Sequence, residues 1–124
     1  LILVGVSRAG KTPTCLYLAL QFGLRAANFT LSLETLEQGR LPEKLQGLRD
    51  RLFGVTIDPV RLYQIRSQRK PDSDYASLWQ CQRETELVEA LYAKEGLPYA
   101  NATAVSIEEV ATKILQRCQL RRRI

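Results

Sequence analysis

The chain contains no histidine and no methionine, a single tryptophan and only three cysteines among its 124 residues. Without histidine it lacks the side chain that most often acts as a general base near neutral pH and most often ligates transition metals. Cys15, Cys81 and Cys118 are odd in number and widely spaced, with no C-x-x-C pattern, which speaks against a disulfide framework or a thiolate metal site. They read as reduced interior thiols of a protein from a cytoplasmic compartment. No apolar run approaches the roughly 20 residues that a membrane-spanning helix needs, and no charged leader precedes an apolar stretch, so a membrane partner is not expected. The absent methionine, taken with a first strand that begins at residue 1, reads as a missing natural start, with a strand edge or a whole domain expected upstream.

What is present is ordinary for a globular protein. Hydrophobic residues make up 45% and charged residues 25%, which excludes disordered and fibrous classes and fits a single domain over residues 1–124. The net charge is +5, and three of the positive charges form the terminal run Arg121-Arg122-Arg123, which reads as a solvated tail. No aromatic residues are interleaved with it, so nucleic acid is not an expected partner. Small anionic ligands account for the remaining positive excess.

The first twelve residues organise the rest. Leu1 to Val4 read as a short buried strand, and Gly5-Val6-Ser7-Arg8-Ala9-Gly10-Lys11-Thr12 follows the pattern G-x-x-x-x-G-K-[ST] between a strand and a helix. A run of backbone N–H groups can wrap a phosphate only where side chains do not block the approach, which places Gly5 and Gly10 at the tight points. Lys11 adds a point charge for the terminal phosphates, Thr12 offers a hydroxyl to Mg²⁺, and the following helix directs its positive end at the same anion.

An amphipathic helix is expected from Lys11 to Gly23, with Cys15, Leu16, Ala19, Leu20 and Phe22 as its apolar surface, and then a second parallel strand over Arg25 to Leu31 beside the first. Ser32 to Arg51 reads as a surface excursion broken by Gly39, Pro42 and Gly47. Leu52 to Ile57 forms a third buried strand, and Asp58-Pro59 opens a helix through about Arg69. Arg61, Arg66 and Arg69 fall within one arc of about 140° on that helix, either as a cluster facing nucleotide phosphate or as a solvated basic face. A long helix follows from Tyr75 to about Glu95, with Leu78, Thr85, Val88, Leu91 and Tyr92 on one side, Glu84 elsewhere, and Trp79 at a core or interface position. Tyr99 to Val105 suits a fourth strand, and Ser106-Ile107-Glu108-Glu109 is a capping box at the start of a last amphipathic helix. The expected fold is α/β: a three-layer unit with a phosphate loop and a mainly parallel sheet flanked by helices.

Such a unit points to nucleotide binding and phosphoryl transfer, a reaction whose rate comes from positioning and charge neutralisation. Lys11, Arg8 and Arg66 or Arg69 would stabilise charge on the transferred group, and Ser7 could donate a hydrogen bond to a phosphate oxygen. Asp58, after the third strand, is the one carboxylate with the placement of a Mg²⁺ ligand, although a helix-capping role explains it equally well. No general base can be assigned.

At GVSRAGKTPT, RAANF, LFGVTIDPVRLYQIRSQR, YASLWQCQRE and SIEEVA the sequence resembles the bacterial phosphoenolpyruvate synthase regulatory proteins, relatives of the pyruvate, phosphate dikinase regulatory proteins. The resemblance covers essentially the whole chain and suggests the carboxyl-terminal part of such a protein. It implies a bifunctional cytoplasmic enzyme that uses ADP to phosphorylate, and so inactivate, a threonine of the target dikinase. It also implies the reversal of that step with inorganic phosphate, releasing pyrophosphate. The family's nucleotide loop maps onto Gly5 to Thr12, and its G-x-T-x-x-P-x-R-L segment maps onto Gly54, Thr56, Pro59, Arg61 and Leu62, for which phosphate handling is expected. The G-K-T of the loop and the R-A-A-N after the first helix lean toward phosphoenolpyruvate synthase, rather than pyruvate, phosphate dikinase, as the protein partner. A dimer is compatible with the sequence. Two other readings stay open: a small-molecule kinase of the adenylate or shikimate type, and a non-catalytic domain that senses ADP.

Overall fold

The structure, a computed structural model, describes residues 1–122, with side chains through residue 117. Cys118 and the run Arg121 to Arg123, singled out in the sequence, lie outside the described side chains.

Four short strands form one parallel sheet in the order β2-β1-β3-β4, where β1 is Ile2–Gly5, β2 is Ala27–Thr30, β3 is Leu52–Thr56 and β4 is Tyr99–Asn101. The register pairs Ile2 with both Ala27 and Leu52, and Gly54 with Tyr99, so β1 and β3 are the central strands. Both are almost wholly buried, which is why their sequences, ILVG and LFGVT, are continuous apolar runs without alternation. Parallel pairing requires crossovers, and the helices that make them cover both faces of the sheet.

On one face α1 (Lys11–Phe22) and α6 (Ile107–Arg122) pack Leu18, Val110, Ala111 and Ile114 against Leu3, Phe53 and Ala100. On the other, α4 (Pro59–Arg69) and α5 (Leu78–Glu95) bring Leu62, Cys81, Val88, Leu91 and Tyr92 against Val4 and Leu52. The three layers follow the expected α/β class. Local signals work as their chemistry predicts: Gly23 and Gly96 end α1 and α5 in the left-handed conformation, and Ser106 Oγ accepts from the Glu109 N–H at the start of α6.

Several expectations need correction. Ser32 to Arg51 is no mere surface excursion. It contains α2 (Leu33–Glu37) and α3 (Glu43–Gln46), and Leu36, Leu41 and Leu45 complete the larger core. The outer side of α1 carries its apolar residues into solvent, with Leu20 81% exposed and Leu16 and Phe22 more than half exposed. The helix meets the sheet instead through Leu18 and Thr14. Trp79 is 67% exposed and belongs to no core. Residues 74–76 form a separate 3₁₀ turn, so α5 begins at Leu78, and β4 stops at Asn101.

Candidate functional site

The Gly5–Thr12 loop leaves β1 at the carboxyl end of the sheet, the edge at which open α/β folds place their ligands. Val6 and Ala9 are buried in the larger core and anchor the loop, while Ser7 and Arg8 form its tip. Gly5 is needed for a close approach: a Cβ there would lie 2.7 Å from the Val55 carbonyl oxygen and against the aliphatic stem of Lys11. Gly10 has φ 96°, and Arg8 has φ 70°, a left-handed conformation unusual for a residue with a side chain. Alternation of right- and left-handed residues turns successive N–H groups toward one concave side, as anion-binding backbone nests require.

Lys11 is only 4% exposed, and its Nζ donates to the Val6 carbonyl at 2.6 Å. Burial and the nearby charge of Arg66 lower its pKa from 10.5 to about 8. Cys15, below it in α1, has its thiol pushed up by burial. Thr12 is exposed, and its Oγ1 accepts from Asn28 Nδ2 at 2.8 Å, which joins the first turn of α1 to the edge strand β2.

Two cavities flank the loop tip. The first, about 400 Å³, is lined by Ser7, Arg8, Lys11, Thr12, Asn28 and Thr30. The second, about 310 Å³, lies toward β3 and β4 and is lined by Arg8, Ile57, Arg61, Ile65, Ala102 and Thr103. Arg8, Gly10 and Ile65 border both, so the two spaces meet at the tip of the loop.

The three arginines of α4 part company. Arg61 is exposed and lines the second cavity. Arg69 is exposed at the far end of α4 and lines neither cavity. Arg66 is fully buried, and all five of its N–H groups are taken. Nε and Nη2 donate to the Ser7 carbonyl at 3.3 and 3.0 Å, Nη1 donates to the Tyr75 carbonyl at 3.0 Å, and Nη1 and Nη2 fork onto the Glu84 carboxylate at 2.9 and 3.0 Å. Burial works against its charge, but the hydrogen bond and charge of Glu84 more than offset this and raise its pKa. With no donor left, Arg66 cannot be the phosphate ligand that its place on the arc suggested. It holds the loop from behind.

The Tyr75 ring lies over that guanidinium, 4.2 Å from its centroid to the carbon, and its hydroxyl shares a 2.6 Å hydrogen bond with Ser7 Oγ. Ser7 is thus gripped at its carbonyl and its hydroxyl, and the hydroxyl offered to phosphate in the sequence reading already has a partner. Beneath the loop, the buried Tyr92 hydroxyl reaches the carbonyls of both Val4 and Val55 at 3.0 Å and ties the ends of β1 and β3 together.

Asp58 is exposed and lines neither cavity; its backbone N–H donates to Thr103 Oγ1 at 3.0 Å, and its side chain makes no capping bond. It therefore does not share the first cavity with Thr12, the other residue read as a Mg²⁺ ligand. Among the described residues no cluster of three carboxylate, thiol or imidazole groups could hold a metal. Ser7, Thr12 and Thr30 bring hydroxyls to the first cavity, and no carboxylate lines it.

Asn28, Thr30, Tyr75 and Glu84 escaped the sequence reading. A signal existed for Glu84: Cys81, Glu84, Thr85 and Val88 recur at spacings of three and four, so the carboxylate sits on the buried stripe of α5 and requires a cation.

A family model described as Kinase/pyrophosphorylase matches residues 1–115. A protein of Hahella chejuensis named "Putative phosphoenolpyruvate synthase regulatory protein" is 53% identical over 124 residues, all of this chain and 46% of the relative. Proteins of the same name from Dichelobacter nodosus and Acinetobacter baumannii are 53% and 55% identical over 98% and 100% of the chain, and 45% of each relative. The chain therefore spans about half the length of the curated relatives it matches. No solved structure matches it.

Proposed function

The chain belongs to the kinase/pyrophosphorylase family, and on that premise we propose that it carries the phosphoryl-transfer site of a bifunctional regulator of phosphoenolpyruvate synthase. In one direction a threonine hydroxyl of the synthase takes the β-phosphoryl group of ADP, leaving AMP and an inactive phosphothreonine enzyme. In the other, inorganic phosphate takes the phosphoryl group from that phosphothreonine, giving pyrophosphate and the free hydroxyl.

The observation that carries this reading is the pair of cavities meeting at the loop tip. Transfer between two substrates needs two anionic groups brought end to end, and Arg8 and Gly10 border both spaces. The first cavity, with Lys11 and the loop amides, suits the phosphates of ADP. The second, with Arg61 beside Arg8, suits the phosphothreonine or the incoming phosphate. Lys11 and Arg8 neutralise charge on the group in transit, and Val6 and Ala9, fixed in the core, keep the loop from following it. Mg²⁺, if it accompanies the nucleotide, would take the Thr12 hydroxyl and phosphate oxygens, and no step depends on Asp58.

The test is transfer itself. Phosphoenolpyruvate synthase in its phosphohistidine form is incubated with the protein and ADP labelled in the β-phosphate, and label on a synthase threonine is followed. Lys11→Ala should abolish it. Label on a small molecule, or none on the synthase, would discard the reading.

A further inference from the structure

We propose that Arg66, Tyr75 and Glu84 are positioning residues for the phosphate loop: they turn the Ser7–Arg8 peptide so that the Arg8 N–H faces the nucleotide cavity. The inference rests on the nucleotide reading above and adds residues that never touch the nucleotide.

The argument starts from peptide planarity. In a trans peptide the carbonyl of one residue and the N–H of the next point in opposite directions. The Ser7 carbonyl is held by two N–H groups of Arg66, at 3.3 and 3.0 Å, on the buried side of the loop. The Arg8 N–H is thereby sent the other way, toward the side where Ser7 and Arg8 line the first cavity. The Arg8 amide is thus aimed by a cation placed behind it.

Aiming requires that Arg66 itself cannot move. Glu84 fixes it through a bidentate fork, the Tyr75 carbonyl takes a further N–H, and the Tyr75 ring covers the guanidinium. Gln80 Nε2, one turn earlier in α5, donates to Glu84 at 2.8 Å and fixes the carboxylate in turn. The Tyr75 hydroxyl then returns to Ser7 Oγ at 2.6 Å and closes the circuit. Without this grip the peptide could flip, the left-handed Arg8 would relax, and a carbonyl would face the phosphates.

The test follows the Arg8 amide by ¹H–¹⁵N NMR while ADP is added, with affinity measured in parallel by calorimetry. Wild type should show a large Arg8 shift, and Lys11→Ala should show no binding. Arg66→Lys keeps the charge beside Glu84 but cannot fork onto Ser7, and should weaken ADP by about tenfold, with a much reduced Arg8 response. Tyr75→Phe, which loses only the hydroxyl, should weaken it by a few fold. Arg66→Met combined with Glu84→Leu replaces the ion pair by apolar groups of similar size and should fold with a similar melting temperature, yet bind ADP as poorly as Arg66→Lys. Wild-type affinity and a wild-type Arg8 response in Arg66→Lys and Tyr75→Phe, both folded, would overturn the proposal, whether or not the double variant folds. Absence of ADP binding by the wild type would defeat the nucleotide reading instead. The peptide orientation would then be judged from the Arg8 amide shift of the free proteins, where no difference between wild type and Arg66→Lys overturns it.

Discussion

Lys11 Nζ and the Val6 carbonyl oxygen lie 2.6 Å apart, so the cation of the loop closes onto the loop's own backbone. That contact satisfies one donor of a nearly buried ammonium, which still lies near the charge of Arg66. A stability cost follows. The folded chain releases the Lys11 proton near pH 8, whereas the unfolded chain holds it to about 10.5. Between those values the unfolded state binds more protons, so stability rises with pH across that window. Lys11→Met removes the charge and should be more stable than wild type at pH 7 by on the order of 2 kcal/mol, a margin that closes as pH rises through the window. Urea unfolding of both proteins at pH 7 and above pH 10 measures it.

The same shift predicts how binding responds to pH. Phosphate needs the ammonium form of Lys11, and in the free protein half of that form is gone at about pH 8. Affinity for ADP should therefore fall as pH rises past this value. Binding near it should take up protons, because the bound anion restores the lysine charge. Calorimetry in buffers of different ionisation enthalpy reads the uptake directly, and Lys11→Arg should abolish it.

Gly54 marks a tight place under the loop. A Cβ there would stand 2.6 Å from the Tyr92 ring, and that ring is held by hydroxyl contacts to Val4 and Val55. Gly54→Ala should cost about 1–3 kcal/mol by displacing a ring that has nowhere to go. Tyr92→Phe removes the hydroxyl without moving the ring and should cost about 1 kcal/mol through the lost buried hydrogen bond. Thermal unfolding separates them: if Gly54→Ala acts through the ring, then in the Tyr92→Leu background its cost should shrink.

Much of this architecture could be read from residue order because the signals are local. Continuous apolar runs give buried parallel strands, and Gly23, Gly96 and Ser106 mark helix ends through their own backbone or hydroxyl chemistry. The glycine-bounded loop Gly5–Thr12 is legible for the same reason, since all its fixed positions lie within eight residues. What escaped depends on contacts between distant segments. Helical periodicity puts Arg61, Arg66 and Arg69 on one arc, but which of them is buried is decided by Glu84 on another helix. Leu16, Leu20 and Phe22 look like a packing face by composition, yet the sheet takes Leu18 instead, and an apolar letter alone does not say which side of a helix finds a partner.

Arg8 combines two properties that one substitution can separate. Its φ of 70° carries a steric cost for any residue with a Cβ, and its guanidinium borders both cavities. Arg8→Ala removes the charge and keeps the strain; Arg8→Gly removes both. Glycine adopts the left-handed region freely, so Arg8→Gly should exceed Arg8→Ala in folding stability by about 1 kcal/mol, despite the greater freedom glycine confers on the unfolded chain. If charge is what Arg8 contributes, the two variants should lose phosphoryl transfer to a similar extent, while Arg8→Lys keeps most of it. If backbone shape is what it contributes, Arg8→Gly should bind ADP less tightly than Arg8→Ala, because a loop free to leave the left-handed conformation must be ordered by the ligand at the ligand's expense. Urea unfolding, ADP titration and the transfer assay on the same three proteins distinguish these outcomes. The expected result is equal loss of transfer in Ala and Gly, because Arg66 and Tyr75 hold the adjoining Ser7 in place whichever residue follows it.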